Sequence, residues 1–402
     1  MSGTSWATAR DLAWQTGRDT PLERSRVPLD EALGRIAAAP LIALVGLPTA
    51  SVSAMDGWAV AGDPPWRVGE RVGMGSVPDD IPLASSSARP ITTGAPIPAG
   101  TFGVLRSEHG RVEPDTDGTL WLERSTRIGP DHPTADAHVR LRGEELDAGT
   151  TLVRAGAVFT PARIALAAAC GHDSVLVTER PRVTILITGD ELLTSGIPSP
   201  GSVRDALGPV LPGLVRGAGA TIVDVHAVSD TAVGSEAAIE RAEGDLVVTT
   251  GGSSRGDTDR VRPVLLGSGA IVFDGVDVRP GHPVLLGRTS AGTPVLALPG
   301  NPLAALVCFV SFGIPLIRGM LGMDDETIPE IDTPTLPHDV TTAVGRGLTV
   351  LVPFSRERGI PVVSRWRGPA MLRGLADADG LLVVEPSDAS PGFSVRLLDL
   401  PW

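Results

Sequence analysis

Lysine and tyrosine are absent from this chain of 402 residues, and glutamine and asparagine occur once each, at Gln15 and Asn301. All 34 basic residues are therefore arginine. Depletion of Lys, Asn and Tyr is the mark of a GC-rich genome, which disfavours their codons. A single Asn kept against that drift points to an amide doing what Asp, Ser or Gly cannot. It stands in Leu298-Pro299-Gly300-Asn301-Pro302, directly after the apolar run Val295-Leu296-Ala297. A strand leading into a rigid Pro-Gly-Asn-Pro turn presents backbone donors and one amide to a ligand. The plainer alternative is an Asn that only tolerates a tight turn.

Other scarcities exclude whole classes of function. Two cysteines, Cys170 and Cys308, have no His or Cys at ligand spacing, so neither a zinc site nor a disulfide framework is expected. Both lie in apolar stretches and read as core. The net charge of −13 argues against nucleic acid, whose phosphates need a basic face. An anionic substrate must then be held locally, by arginines, backbone N–H groups or a divalent cation. The longest apolar stretch, Leu303 to Ile317, is interrupted by Ser311, Gly313 and Pro315 and is short for a membrane span. It reads as a buried helix, and no membrane partner is expected. Met1 to Trp6 lacks the charged start and apolar core of a secretory signal, so a cytoplasmic location is expected.

The length suggests two to four domains, and the pattern divides the chain into four regions of an α/β multidomain protein. Residues 1–50 and 140–180 read as a helical linker region, with a helix start near Pro28 and a second helix from Pro161 closed by Gly171. Residues 51–139 are dense in Gly, Pro and Ser and suit a β-rich domain. In 181–325 the apolar runs Val183–Ile187, Thr221–Val228, Asp245–Val248 and Pro294–Leu298 alternate with helical stretches near 203–217, 231–243 and 302–318. That alternation predicts a mainly parallel sheet with helices on both faces. Residues 326–402 read as a small C-terminal β domain.

Ligands of open parallel sheets bind just beyond the carboxyl ends of the strands. Each apolar run of 181–325 is followed there by a polar motif. These are Thr188-Gly189-Asp190-Glu191-Leu192, Ser229-Asp230, the stretch Thr249 to Asp259 and Gly300-Asn301-Pro302. Gly251 and Gly252 let backbone N–H groups approach a phosphate, and Ser253 and Ser254 add donors. Asp190, Glu191, Asp230 and Asp259 are poor neighbours for an anion: like charges about 4 Å apart repel by roughly 4 kcal/mol at an effective dielectric near 20. A shared Mg²⁺ turns that repulsion into attraction and takes these oxygen ligands. Asp190 and Asp230 have an alternative role as helix N-caps.

The motifs together resemble one family. Ser53 to Val60, Thr93 to Gly100, Thr188 to Leu192, Gly251 to Asp259, Arg279-Pro280-Gly281-His282-Pro283 and Leu298 to Pro302 occur in the order seen in MoeA proteins. These are the molybdopterin molybdenumtransferases, related to the E domain of gephyrin, and the resemblance runs from about 28 to 395. It implies insertion of molybdate into adenylated molybdopterin, release of AMP and a need for Mg²⁺. It also implies a MogA-like sheet domain, an elongated homodimer whose partner's Gly/Pro-rich domain completes the active site, and contact with a MogA-type adenylyltransferase. By motif, Asp56, Glu191, Asp230 and Asp259 take catalytic roles, and Asp190, Glu191, Asp230 and Asp259 the metal. Thr93, Gly251, Gly252, Ser253, Ser254, Arg255, Arg279, His282, Pro299, Gly300, Asn301 and Pro302 take the substrate.

The chain departs from the family at several points. Lysines around the family's Lys-Pro-Gly-Lys-Pro become Arg279 and His282, and another becomes Gly275. Gly-Glu-Asp becomes Gly143-Glu144-Glu145, the Asn of Asp-x-Asn becomes Leu207 after Asp205, and an acidic residue beyond Gly100 becomes Phe102. Arg279 replaces Lys as an anion ligand and adds a bidentate fork, whereas His282 is mostly neutral at pH 7. Arg255 can restore some of the charge. The losses keep a second reading open, a catalytically weakened paralogue that binds a pterin or nucleotide as carrier or regulator.

Overall fold

Strands that read as unbroken apolar runs, such as Val183–Ile187 and Pro294–Leu298, must be covered on both faces. The computed structural model describes residues 3–77, 81–125, 133–229, 231–254, 260–268, 270–325, 328–332, 336–386 and 394–402. It places β1 (Arg182–Thr188), β2 (Thr221–Val228), β3 (Leu246–Thr250), β4 (Ile271–Asp274), β5 (Leu285–Arg288) and β6 (Pro294–Leu298) in one sheet, ordered β2-β1-β3-β6-β5-β4. The first four in that order are parallel, and β5 and β4 close the far edge antiparallel. Every residue of β3 and β6 is buried.

Among the described residues nine α-helices surround the sheets: α1 (Trp6–Arg18), α2 (Pro161–Ala169), α3 (Leu211–Gly217), α4 (Ala232–Arg241), α5 (Val261–Ser268), α6 (Pro302–Cys308), α7 (Ile314–Met320), α8 (His338–Val344) and α9 (Arg373–Ala376). Ile185 and Ile187 of β1 meet Trp6, Ala9 and Ala13 of α1, Leu211 of α3 and Leu316 of α7 on one face of the sheet. Leu186 points the other way, into a core with Ile239 of α4 and Val261 and Leu265 of α5. The period-2 alternation of a strand thus fills two cores at once.

The apolar stretch 302–320 is the buried helix its interruptions suggest, made of α6, a π-helical turn Phe309–Gly313 and α7. Pro315 has no N–H to give, and a Cβ on Gly313 would come within 2.6 Å of the Phe309 ring. A widened turn accommodates both. It also frees the Ser311 carbonyl, which accepts from Arg10 Nη1 of α1 at 3.2 Å.

Four differences from the sequence pattern emerge. The 1–50 and 140–180 region is not chiefly helical: Arg24–Pro28, Ser174–Thr178 and Ile36–Ala37 form an antiparallel sheet, and Leu41–Ile42 pairs with Thr151–Val153. Beyond Pro28 there is one 3₁₀ turn, Leu29–Glu31, ended by Gly34 at φ +72°. Second, α1 packs into the core of the parallel sheet rather than into that region. Third, 203–217 begins as a strand, Val203–Arg204, paired with Leu192–Leu193; Asp205 Oδ1 then accepts from Leu207 N and Gly208 N, both at 2.9 Å, and the helix starts only at Leu211. Fourth, α5 has no counterpart among the expected helices.

The β-rich part is a six-stranded sheet between Gly57 and Arg124 with two cores of its own, one around Ala59, Ile91 and Val104 and one around Trp66, Leu105 and Leu122. The C-terminal sheet is built from 330–399, and it borrows Val278–Arg279, which pairs in parallel with Thr349–Val350. The two regions on either side of residue 325 are therefore laced together by that short strand.

Candidate functional site

The parallel strands end level with one another. Thr188 stands opposite Val228, Ile187 opposite Thr250, and Thr250 opposite Leu298. Their loops therefore open side by side, as the strand-end rule expects. Thr188 Oγ1 donates to the Thr250 carbonyl. Gly251 N donates to the Leu298 carbonyl at 2.9 Å, which ties the Gly-Gly loop to the Pro-Gly-Asn-Pro loop. At the contact a Cβ on Gly300 would lie 3.6 Å from Gly251 Cα, and one on Gly251 would lie 2.8 Å from Thr188 Oγ1. Gly251 (φ +81°) and Gly252 (φ +68°) both hold left-handed backbone, which glycine adopts without strain.

The individual side chains divide into ligand-facing and supporting groups. Ser253 is buried and donates to the Leu298 carbonyl at 3.3 Å, so it braces the loop instead of facing a ligand as expected. Ser254, Gly300 and Asn301 are exposed, and Pro299 is buried beneath them. Asn301 has φ −69°, an ordinary backbone value, and its amide makes no capping bond to α6. The turn therefore does not require Asn. Asp190 and Glu191 are exposed at the end of β1, where a strand and not a helix follows, so Asp190 is no helix N-cap. The N-cap of α4 is Thr231, whose hydroxyl accepts from Gly234 N. Asp230, Arg255 and Asp259 lie outside the described residues.

The Arg279–Pro283 motif reaches the same edge by another route. β5 runs antiparallel to β6, with Leu285 opposite Ala297, so the loop between β4 and β5 emerges at the carboxyl ends of the parallel strands. It lies on α6: Cys308 Sγ is 3.5 Å from the Gly281 carbonyl, and no Cβ fits at Gly281 because it would meet that sulfur at 2.3 Å. Burial pushes the Cys308 thiol well above its ordinary pKa, so it stays protonated. Arg279 is exposed on the borrowed strand. His282 Nδ1 meets the Val276 carbonyl at 2.7 Å, and since a carbonyl only accepts, Nδ1 carries the proton. The ring lies against Gly275, which has φ +82°. A lysine there would be strained, so the two departures belong to one local rearrangement. Leu207, where the family has Asn, is buried in the main core and faces no ligand.

The C-terminal region supplies residues that the sequence reading missed. The Pro369 carbonyl accepts from Ala304 N in the first turn of α6 at 3.0 Å. In the same loop Arg367 makes a two-pronged bond to Asp339 of α8, Nε to Oδ2 at 3.0 Å and Nη2 to Oδ1. Arg367 holds the Asp339 carboxyl below the usual carboxylate range, and Arg279 adds to the effect. Arg367, Asp339 and Arg279 thus share one neighbourhood. The Trp366-Arg367-Gly368-Pro369 turn is the only local signal that could have drawn attention to this loop.

Asp56 and Thr93 form a corner of their own. Thr93 N and Oγ1 both donate to Asp56 Oδ1, at 2.7 and 3.0 Å. The backbone N–H first, and then the hydroxyl, hold the Asp56 carboxyl below its ordinary pKa, with a smaller contribution from Arg71. Both residues are exposed, on a sheet whose cores are separate from those of the parallel sheet.

For a Mg²⁺ the described donors are the adjacent carboxylates of Asp190 and Glu191, hard oxygens at a strand end among hydroxyls, which is the chemistry that ion takes. Among the described residues no group of three His, Cys, Asp or Glu side chains converges as a closed cage. Of the four carboxylates expected at the metal, these two are the ones described, and their oxygens fit Mg²⁺.

A mainly parallel sheet with convergent strand-end loops, flanked by a β-rich sheet and a laced C-terminal sheet, defines a multidomain α/β protein. Two family models match the chain: the MoeA N-terminal region (domain I and II) over residues 4–171, and a probable molybdopterin binding domain over residues 184–319. Molybdopterin molybdenumtransferase 2 of Mycobacterium tuberculosis is 33% identical over 397 residues, covering 93% of this chain and 94% of its own. The molybdopterin molybdenumtransferase of Haemophilus influenzae is 30% identical over 335 residues, 81% of this chain and 80% of its own. The crystal structure of a molybdopterin biosynthesis MoeA protein from Pyrococcus horikoshii has the same fold, with a TM-score of 0.75 over 99% of this chain and 100% of its own at 22% identity. The chain belongs to the MoeA family of molybdopterin molybdenumtransferases.

Proposed function

We propose that the chain inserts molybdate into adenylated molybdopterin and releases AMP, in a Mg²⁺-dependent step of molybdenum cofactor biosynthesis. The observation that carries this reading is the meeting of the Gly251 and Gly300 loops at the strand ends, with Asp190 and Glu191 beside them. In it, Gly252 and Ser254 donate to phosphate oxygens, and the Asn301 amide donates to the ligand next to them. Arg279 gives the oxyanion a bidentate fork, with the His282 Nε2 edge near it. Asp190 and Glu191 would hold a Mg²⁺, which would screen the phosphate charge and ease departure of AMP. The dithiolene sulfurs of the pterin, not the protein, take the molybdenum.

Asp56 and Thr93 enter the same reaction from a second copy of the chain. The homodimer, contact with a MogA-type adenylyltransferase and a cytoplasmic location are parts of this proposal. Purified protein incubated with adenylated molybdopterin, Mg²⁺ and molybdate tests it. Molybdate-dependent AMP release supports insertion. Tight pterin binding with no AMP at any Mg²⁺ or molybdate concentration overturns it in favour of the carrier reading, which the buried Leu207 and the Gly275–His282 rearrangement would then explain.

A further inference from the structure

The outer strand of the main sheet, β2 (Thr221–Val228), is long and bare for an edge. Five of its eight residues, Val223 to Ala227, are exposed, and Val223 and Val225 keep 36% and 37% of their surface in water. α4 does not cover it. A cavity of about 540 Å³ lies between the strand and that helix, lined by Asp224 and His226 on one side and by Ala237, Ala238 and Ala242 on the other. A long exposed edge is a template for another strand unless something guards it. Two features guard it: a bulge at Val223, where the register to β1 shifts, and the Asp224 side chain, whose Oδ1 accepts from Val225 N at 2.8 Å and whose Oδ2 meets His226 Nδ1 at 2.9 Å.

The strand is complementary to itself. Run antiparallel about Val225, Ile222 stands opposite Val228, Val223 opposite Ala227 and Val225 opposite its own copy. Asp224 then stands opposite His226, a carboxylate against an imidazole N–H. Centring the pair on residue 224 or 226 instead sets Asp224 against Asp224 or His226 against His226, and it leaves His or Asp opposite an aliphatic side chain. One register is favoured, and the direction of the backbone agrees with it. Val225 N serves Asp224 and not the ladder to β1, so the N–H groups of Val225 and Ala227 share the open edge, while Val223 sits in a bulge where the register to β1 shifts. That makes Val225 a hydrogen-bonded pair with its copy and Asp224–His226 a non-hydrogen-bonded pair, the closer kind, with Cα atoms about 4.5 Å apart. The shorter spacing suits a carboxylate–imidazole bond.

We propose that the β2 edge binds a second copy of this chain, antiparallel about Val225, joining two sheets into one. On docking, Val225 N leaves its own Asp224 for a carbonyl of the second copy, and each Asp224 exchanges its own His226 for the other. The two Asp224–His226 bonds are kept in number, the two Val225 N–Asp224 bonds are exchanged for backbone bonds between the copies, and the remaining backbone bonds of the open edge are gained. The contact is independent of the activity and separate from the one that would bring Asp56 and Thr93 to the strand-end loops.

Sedimentation velocity of the full chain tests it. Val225→Pro removes the outward N–H, and an edge strand tolerates proline at such a position. The wild type is expected at twice the mass of V225P, with unchanged circular dichroism. Asp224→His and His226→Asp each create like pairs and weaken association by roughly tenfold, two cross-strand pairs being lost at a time; the double exchange restores it. Val225→Cys forms a covalent dimer on oxidation, because Cys170 and Cys308 are buried and do not compete. Equal mass for wild type and V225P overturns the proposal, since a dimer through any other surface is blind to that change. Should V225P misfold, failure of both the charge exchange and the V225C cross-link overturns it equally.

Discussion

His282 holds the Val276 carbonyl through Nδ1 at 2.7 Å and leans on Gly275, so two positions where the family carries lysine are occupied by a ring and the space beneath it. Only Nε2 is left to meet a ligand. His282→Lys should restore a permanent charge at this edge and tighten molybdate binding at pH 8 by about tenfold, the worth of one charge-assisted hydrogen bond. Titration calorimetry at pH 8 decides it. Unchanged affinity would assign the oxyanion to Arg279 alone.

Asn301→Asp should leave the fold intact, because the backbone at φ −69° suits either residue and the amide caps nothing. A donor becomes a negative charge beside an anionic ligand, so pterin affinity should fall by roughly 10- to 100-fold. A thermal scan paired with a binding curve separates the two. A collapse of the melting temperature with unchanged affinity would make Asn301 a structural residue.

Gly281→Ala places a Cβ 2.3 Å from the buried Cys308 sulfur at φ +120°. Overpacking and backbone strain together should cost about 2–4 kcal/mol in urea unfolding. Adding Cys308→Ala removes the overlap but not the strain, so the double variant should regain roughly half of the loss. Strict additivity would place the overlap elsewhere.

Arg367 lowers the pKa of Asp339 in the folded state. The pair therefore adds stability above the ordinary carboxylate range, and that contribution disappears as pH falls through the folded-state value. Asp339→Asn should lower the melting temperature at pH 7 and lower it progressively less as the pH falls below the ordinary carboxylate range, giving a shallower acid limb than the wild type. Hydrogen exchange at Ala304 N, which the Arg367 loop covers through Pro369, should quicken in the same variant at pH 7. Parallel acid limbs would mean that the pair contributes nothing.

The parallel sheet was legible because strands covered on both faces lose their polar alternation; the run Pro294–Leu298 coincides with β6 end for end. The strand-end loops followed from that sheet by a general rule, which needs only the chain direction. The linker strands were illegible for the opposite reason. Arg24–Pro28 buries Val27 alone, and Ile36–Ala37 is two residues long, too short for any period to show. The Asp339–Arg367 pair also leaves no local trace, since its halves come from different elements 28 residues apart. For Ser253, composition suggested a ligand donor, but only the position of the Leu298 carbonyl shows that its hydroxyl points inward.

The placement of α1 sets a schedule for synthesis. Trp6, Ala9 and Ala13 are covered by a helix that begins at Ile314, about 300 residues downstream. At translation rates of about 5–20 residues per second, that cover emerges roughly 15–60 s after α1 does. Throughout that interval the first helix trails from the ribosome with its apolar stripe bare, while the sheet of Gly57–Arg124 already has every strand it needs. The nascent chain thus carries a long-lived recognition handle for chaperones in that helix, and the parallel sheet can lock only once the segment from Ile314 has emerged.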